Sequence, residues 1–233
     1  VDNPKLASII LSEGFSYFED SVRLAERLGF HSILFPDHYM LRRTNVLYDA
    51  WTLLSALASC TREIRLGSCV TPLTFYHPGI VTKRVATLDH ISRGRVTLGV
   101  GCGWYERGYK AYGLPFDSYK VRMRKMVEAI KIIKALWTQD GEVKYSGDYY
   151  EIDSAELLPK PVQKPHPPIW IGGESLRTLE AVAEHAQGWI PFELSASGFK
   201  TKIDSLRELL PKFGRDIEDI EVAVAARTAL SND

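Results

Sequence analysis

A carboxylate and an imidazole stand side by side at Asp37-His38, directly after an apolar run. Such a pair could orient a substrate or transfer a proton, because histidine titrates near neutral pH and a neighbouring carboxylate can hold its ring in place. The same pair could also form an ordinary hydrogen-bonded contact within a loop. Both interpretations stay open on the sequence alone.

A second candidate site is the segment IGGES, in which two glycines precede Ser175. Serine is a favoured N-cap residue, and the N–H groups of a first helical turn bind phosphate with the help of the helix dipole. The segment therefore predicts either a phosphate-binding helix N-terminus or a structural turn of the same composition.

A third candidate is the glycine-rich run GVGCGW, which ends at Trp104. The run does not match the dinucleotide-binding pattern G-x-G-x-x-G, because Trp104 replaces the third glycine and no acidic residue closes a second strand about 20 residues further on. Two interpretations remain for Gly101 and Gly103: backbone that a flat ligand approaches closely, or a plain tight turn.

The amino-acid composition indicates which kinds of partner the protein is expected to bind. The 233 residues include 29 basic and 29 acidic side chains and are 45% hydrophobic, so the chain can bury a full core. The sequence lacks a long basic stretch of the kind that binds nucleic acid or an anionic membrane. Its apolar runs are shorter than the roughly 20 residues that a membrane span needs. The three cysteines and the histidines lack disulfide or metal-ligand spacing. We expect a cytoplasmic protein without a metal site that acts on a small molecule.

Hydrophobic periodicity places the candidate segments in alternating strands and helices. Six helices are predicted between seven strands, which are Lys5–Leu11, His31–Pro36, Glu63–Val70, Arg95–Gly101, Pro168–Gly173, Gly188–Phe192 and Ile220–Ala226. This order favours an α/β fold of the (β/α)8 TIM-barrel type over residues 1–233, a single domain without an eighth βα unit. Such a barrel is either a fragment or is completed by a rearranged strand or a neighbouring chain.

Residues 139–167 interrupt the alternation after the fourth helix. They contain a hairpin pattern around SGD and a proline-rich connector, and we interpret them as an excursion from the barrel. In a parallel barrel the active site lies at the C-terminal ends of the strands. The three candidate segments all fall at such ends, as do Ser68–Val70, Trp189 and Phe192.

Longer segments resemble the luciferase-like monooxygenases, the bacterial luciferase superfamily. The resemblance rests on AERLGFHSILFPDHY, TREIRLGSCVTPLTFYHPG, ATLDHISRGRVTLGVGCGWY, PKPVQKPHPPIWIGG and AQGWIPF, in family order. It implies a TIM barrel with a flavin, either FMN or the deazaflavin coenzyme F420, at its C-terminal mouth. The segment GWYERGYKAYG resembles the deazaflavin branch and favours coenzyme F420 over FMN.

The resemblance also implies roles for single residues. The catalytic Asp-His pair of the family maps onto Asp37 and His38, and His38 would donate or take a proton as a hydride moves. A non-prolyl cis peptide is implied between Cys69 and Val70, next to Ser68, where it would support the ring of the cofactor. The implied phosphate-binding residues are Gly172, Gly173, Glu174 and Ser175.

The same resemblance assigns the glycine-rich run to the cofactor wall. Gly101 and Gly103 would let the chain pass close to the cofactor, and Trp104 would begin the wall around it. The implied function is hydride transfer between coenzyme F420 and an organic substrate, in a homodimer. Two alternatives are an FMN-dependent monooxygenase that uses reduced flavin and oxygen, and a catalytically silent flavin-binding protein.

Overall fold

The computed structural model describes residues 14–41 and 47–224. The predicted first strand, Lys5–Leu11, lies outside these residues, as does the end of the predicted seventh. The helices are α1 Phe15–Arg27, α2 Ala50–Cys60, α3 Pro78–Ser92, α4 Glu106–Ala111, α5 Tyr119–Thr138, α6 Leu176–His185 and α7 Ala196–Leu209. The strands are β1 Ser32–Phe35, β2 Arg65–Ser68, β3 Thr71–Pro72, β4 Val96–Gly101, β5 Val143–Ser146, β6 Glu151–Ala155, β7 Ile169–Gly172, β8 Gly188–Ile190 and β9 Glu221–Val222.

The main sheet has the strand order β1-β2-β4-β7-β8-β9, with β3 beside β4, and every pair in it is parallel. The six predicted strands that fall in the described part of the chain are all present, and each is followed in the sequence by its helix up to β8. The barrel-type α/β architecture is therefore confirmed over these residues. Among the strands and α-helices given above, the two-residue strand β3 and the short helix α4 were not predicted.

The excursion after α5 is confirmed as a separate antiparallel hairpin of β5 and β6. A carboxylate of α5 holds its turn: Glu128 Oε1 accepts hydrogen bonds from the backbone N–H groups of Tyr149 (3.1 Å) and Tyr150 (2.8 Å). At the base of the barrel, the buried carboxylate of Asp89 accepts the backbone and side-chain N–H groups of Gln163 at 2.9 and 2.7 Å. These contacts fix the hairpin turn and the connector of the excursion to helices α5 and α3 of the barrel.

Two clusters of buried side chains divide the interior. The larger cluster lies between the sheet and its helices and includes the apolar stripe of α5, among them Met126, Ile130 and Trp137. The smaller cluster joins Leu34, Cys69, Trp170, Ile190 and Ala223, from β1, the end of β2, β7, β8 and just after β9. Side chains of a strand alternate between the two faces of a sheet, so this second cluster is the concave face below the candidate site.

Over residues 14–41 and 47–224, no helix has both the length and the apolar character that a membrane span requires.

Candidate active site

The parallel sheet brings the predicted site residues to one edge. Asp37 and His38 follow the end of β1, Ser68 ends β2, Gly101 ends β4 and Gly172 ends β7. Because all strands of the main sheet run in the same direction, these positions lie at the same mouth of the barrel. The geometry at each strand end then decides what the residues there can do.

The carboxylate of Asp37 is enclosed by three hydrogen-bond donors from three different elements. Its Oδ2 accepts from Trp51 Nε1 of α2 at 3.1 Å and from Thr71 Oγ1 of β3 at 2.9 Å, while its Oδ1 accepts from the Tyr76 hydroxyl at 3.0 Å. Only 2% of Asp37 is exposed. Burial raises the pKa of this carboxyl to about 6, although the three donors act in the opposite direction. The carboxylate therefore joins the end of β1 to the segment after β2.

His38 is the partly buried neighbour of this enclosed carboxylate. Burial lowers the pKa of its imidazole to about 4, so that the ring is neutral at pH 7. The ring meets the indole of Trp104 edge to face, with 6.0 Å between ring centres and an angle of 84°. A neutral imidazole can accept a proton at one nitrogen and donate one at the other.

We expect protonation of Asp37 and protonation of His38 to have opposite effects on the free energy of unfolding. The unfolded chain protonates His38 at about pH 6.5, well above the folded pKa, so acidification towards about pH 4 favours unfolding through His38. Asp37 protonates at about pH 6 in the fold but only near pH 3.9 when unfolded, so acidification over that range favours the fold. The wild-type protein contains both effects, which partly cancel.

Asp37→Asn should remove the stabilising effect of acid. Between about pH 7 and pH 4.5, its free energy of unfolding should fall by about 2 kcal/mol more than that of the wild type, and His38→Ala should deviate in the opposite direction. Urea unfolding of the three proteins at both pH values measures the difference. Parallel pH profiles for all three would contradict the assigned shifts.

The segment after β2 carries a cis peptide between Cys69 and Val70, as the family resemblance implied. The Cys69 N–H donates to the Phe35 carbonyl of β1 at 2.8 Å. Ser68, predicted to bind cofactor, is fully buried, and its hydroxyl donates to the Gly99 carbonyl at 2.7 Å. Burial raises the pKa of the Cys69 thiol to about 12, which keeps it protonated. The side chains of Ser68 and Cys69 are thus held within the protein, and we call the backbone of Cys69-Val70 the cis bulge.

The glycines of β4 and β7 make room for this bulge. A Cβ atom at Gly101 would lie 2.7 Å from Val70 Cγ2, and one at Gly172 would lie 2.9 Å from Val70 Cγ1. At Gly99 a Cβ would come within 1.9 Å of the Ser68 carbonyl oxygen. Close packing within the protein is a third reason for glycine at position 101, besides the approach of a flat ligand and a tight turn, since Val70 occupies the space beside it.

Gly103 has a different reason to be glycine. Its φ of 80° lies in the left-handed region. A Cβ there would also lie 1.9 Å from the hydroxyl of Tyr109, a fully buried side chain whose hydroxyl is 2.5 Å from Thr74 Oγ1. Beyond Gly103 the chain exposes Trp104, of which 61% is accessible.

The loop from Gly172 to Ser175 leads from β7 into α6. Ser175 is the N-cap of α6, as predicted, and its hydroxyl oxygen accepts the Thr178 N–H at 3.1 Å. Gly173 has a φ of 122°, which other residues rarely adopt. The Glu174 carboxylate accepts the Phe192 N–H at 2.7 Å, which ties this loop to the end of β8. The first N–H groups of α6 have no partner within the helix, so this end can bind an anion.

Sequence reasoning missed two polar residues of the mouth. Thr71 donates to Asp37, and the Tyr119 hydroxyl forms a hydrogen bond with Ser175 Oγ. Thr71 directly follows the implied cis peptide of Cys69-Val70, and this position could have indicated that Thr71 belongs to the site. Tyr119 begins a long amphipathic helix, where an exposed tyrosine carries no signal of its partner 56 residues away.

The comparisons with known proteins agree with this arrangement. The family model described as "Luciferase-like monooxygenase" matches residues 3–233. The FMNH(2)-dependent dimethylsulfone monooxygenase of Pseudomonas putida is 28% identical over 205 residues, which cover 88% of this chain and 52% of that protein. The F420-dependent glucose-6-phosphate dehydrogenase of Nakamurella multipartita is 29% identical over 225 residues, which cover 94% of this chain and 65% of that protein.

A solved structure gives the same result for the fold. An F420-dependent secondary alcohol dehydrogenase, in complex with an F420-acetone adduct, matches with a TM-score of 0.86 at 25% identity, over 94% of this chain and 67% of that one. The chain spans about half to two thirds of the length of the two curated relatives. It belongs to the luciferase-like monooxygenase family, whose members named here are oxidoreductases.

Proposed function

We propose that this chain forms the cofactor-binding and proton-transferring part of an oxidoreductase that exchanges a hydride between coenzyme F420 and an organic substrate. The observation that carries the proposal is the neutral imidazole of His38 at the same mouth as the cis bulge of Cys69-Val70. Support for F420 comes from the relatives that are F420-dependent by name, at 29% and 25% identity.

The mouth fits such a cofactor at two places. Val70 is wedged between Gly101 and Gly172, which gives the bulge a firm apolar support of the kind that a flat ring system needs. The loop Gly172–Ser175 runs into the N-terminus of α6, which suits a phosphate group. When bound, coenzyme F420 supplies the hydride carrier, and the protein supplies orientation and proton transfer.

Within this proposal His38 is the catalytic residue and Asp37 is a positioning residue. The proposed reaction is the interconversion of an alcohol and a ketone, as the name of the F420-dependent secondary alcohol dehydrogenase suggests. The C–H bond breaks and its hydride would pass to the bound carrier, the hydroxyl proton moves to a ring nitrogen of His38, and a C=O bond forms. A neutral imidazole is needed to take that proton. Asp37 acts through the backbone, because both of its oxygens are engaged by Trp51, Thr71 and Tyr76.

A second candidate function is an FMN-dependent monooxygenase. It is favoured by the relative from Pseudomonas putida, which is FMNH(2)-dependent by name and matches 88% of this chain. The two candidates differ in the cofactor that the mouth binds, so a direct binding experiment separates them.

Titration of the protein with oxidised F420 and, separately, with FMN tests the proposal. We expect F420 to saturate one site per chain, followed by its absorbance and fluorescence. Gly173→Ala should weaken F420 binding about ten-fold or more, because alanine is strained at a φ of 122° and its Cβ would lie 3.3 Å from Thr178 Oγ1.

Gly141→Ala is the matched control for this variant. Gly141 also has a positive φ, 71°, but it lies in the excursion, and a Cβ there would meet nothing within 4 Å. It should bind F420 as the wild type does. Stoichiometric FMN binding without any response to F420 would reject the first proposal in favour of the second.

A further inference from the structure

Trp104 differs from the other four tryptophans of the chain in its exposure. The side chains of Trp51, Trp137, Trp170 and Trp189 are at most 4% exposed, whereas 61% of Trp104 is accessible. An exposed indole leaves a large apolar surface in contact with water, and such exposed apolar surfaces commonly mark a binding site. Its place at the end of β4 puts this surface at the mouth of the barrel.

The ring contacts of Trp104 point to the proton-transferring group. Its indole meets the His38 imidazole edge to face at 6.0 Å and the Tyr105 ring at 5.3 Å. On the other side of His38, Tyr39 stacks on Phe75, with 4.7 Å between ring centres. We call the rings of Trp104, His38 and Tyr39 the aromatic wall; Trp104 contacts His38, and Tyr39 follows His38 in the chain.

A second exposed aromatic ring extends this wall. Tyr112 is 58% exposed, its ring centre lies 5.0 Å from that of Tyr39, and its hydroxyl donates to the Tyr39 carbonyl at 3.4 Å. Trp104 thus contacts His38, and Tyr112 contacts the next residue, Tyr39. On the adjoining helix α4, Glu106 and Lys110 form an ion pair with each other at 2.7 Å. A substrate group near His38 would meet aromatic faces first.

We propose that Trp104 is a substrate-contacting residue that selects alcohols and ketones with a flat apolar group next to the reacting carbon. This assignment rests on the proposed function and differs from the implied role of Trp104 as a cofactor wall. An aryl or cyclic alkyl group can stack on the exposed indole while the adjacent oxygen reaches His38. A short acyclic alcohol such as 2-propanol offers no such flat apolar face.

The test uses the protein loaded with reduced F420, in whose presence an alcohol cannot react. Iodide quenches exposed tryptophans, so the quenchable fluorescence of this chain comes mainly from Trp104. We expect 1-phenylethanol to protect this fluorescence from iodide, and 2-propanol, a secondary alcohol without a flat group, to leave it quenchable. Failure of 1-phenylethanol to protect would overturn the proposal.

Substitutions give the second readout. Trp104→Ala should raise the KM for 1-phenylethanol about ten-fold, because the loss of a stacked aromatic surface is worth about one power of ten in affinity, while the F420 affinity stays within two-fold. Trp104→Phe should restore most of the difference. Tyr17→Ala is the matched control: Tyr17 is 55% exposed and has an edge-to-face contact with Phe18 on α1, and its loss should change neither value.

The outcomes separate this inference from the proposed function. A ten-fold loss of F420 affinity in Trp104→Ala would make the indole a cofactor contact and overturn the substrate role, with the proposed function intact. If the wild type binds FMN and no F420, the proposed function fails and the inference fails with it. An unchanged KM in Trp104→Ala would overturn the inference alone.

Discussion

His38→Ala should lower turnover of a secondary alcohol by about 100-fold or more while F420 binds with nearly unchanged affinity. General acid-base catalysis by one positioned side chain contributes about two to four powers of ten. The imidazole is neutral at pH 7 because burial lowers its pKa to about 4, so its removal takes away the proposed proton acceptor. Turnover at saturating alcohol, together with the F420 titration, measures both quantities.

His90→Ala is the control for this variant. His90 lies near the end of α3, at the opposite side of the barrel, where its Nε2 is 2.8 Å from the Lys160 carbonyl. Its loss should leave turnover within about two-fold of the wild type. Equal turnover of His38→Ala and the wild type would remove the catalytic role of His38 and would favour a protein that binds the cofactor without catalysis.

Gly99→Ala should destabilise the protein by about 3 kcal/mol or prevent it from folding. The added methyl group would lie 1.9 Å from the carbonyl oxygen of Ser68, which belongs to the backbone of the neighbouring strand and cannot rotate away. The strands β2 and β4 would have to separate, and overpacking of a core costs about 1–3 kcal/mol even where side chains can move. Thermal unfolding and the soluble yield report the effect.

Gly14→Ala serves as the comparison for that substitution. Gly14 precedes α1, and a Cβ atom there meets nothing within 4 Å. Alanine at this N-cap should cost less than about 1 kcal/mol. If Gly99→Ala were as stable as Gly14→Ala, the close approach of Ser68 to Gly99 would be wrong.

The strands and their order could be predicted because each strand leaves a local signal. An apolar run such as HSILFP predicts a strand from a few neighbouring residues alone. The alternation of such strands with helices then predicts a parallel barrel. The short strand β3 was missed because its two residues, Thr71 and Pro72, give no periodicity. Helix α4, of six residues, is equally short and was missed as well.

The contacts that surround the site residues could not be predicted from the sequence. The pair Asp37-His38 was recognised, but the sequence does not contain the information that Trp51, Thr71 and Tyr76 enclose the carboxylate from three elements. Nor does it reveal that Val70 fills the space beside Gly101. Such contacts join residues that are about 14 to 39 positions apart, and they exist only once the parallel sheet and its helices have packed together.

The network around Asp37 has a consequence for the kinetics of ligand binding. Thr71 Oγ1 bonds to Asp37, and the Cys69 N–H bonds to the Phe35 carbonyl, so the two segments that flank the mouth are held together by the protein itself. A ligand then finds these segments already ordered and removes little further conformational entropy from them. We expect association to be limited by diffusion and orientation, with affinity among variants of the mouth set mainly by the rate of dissociation.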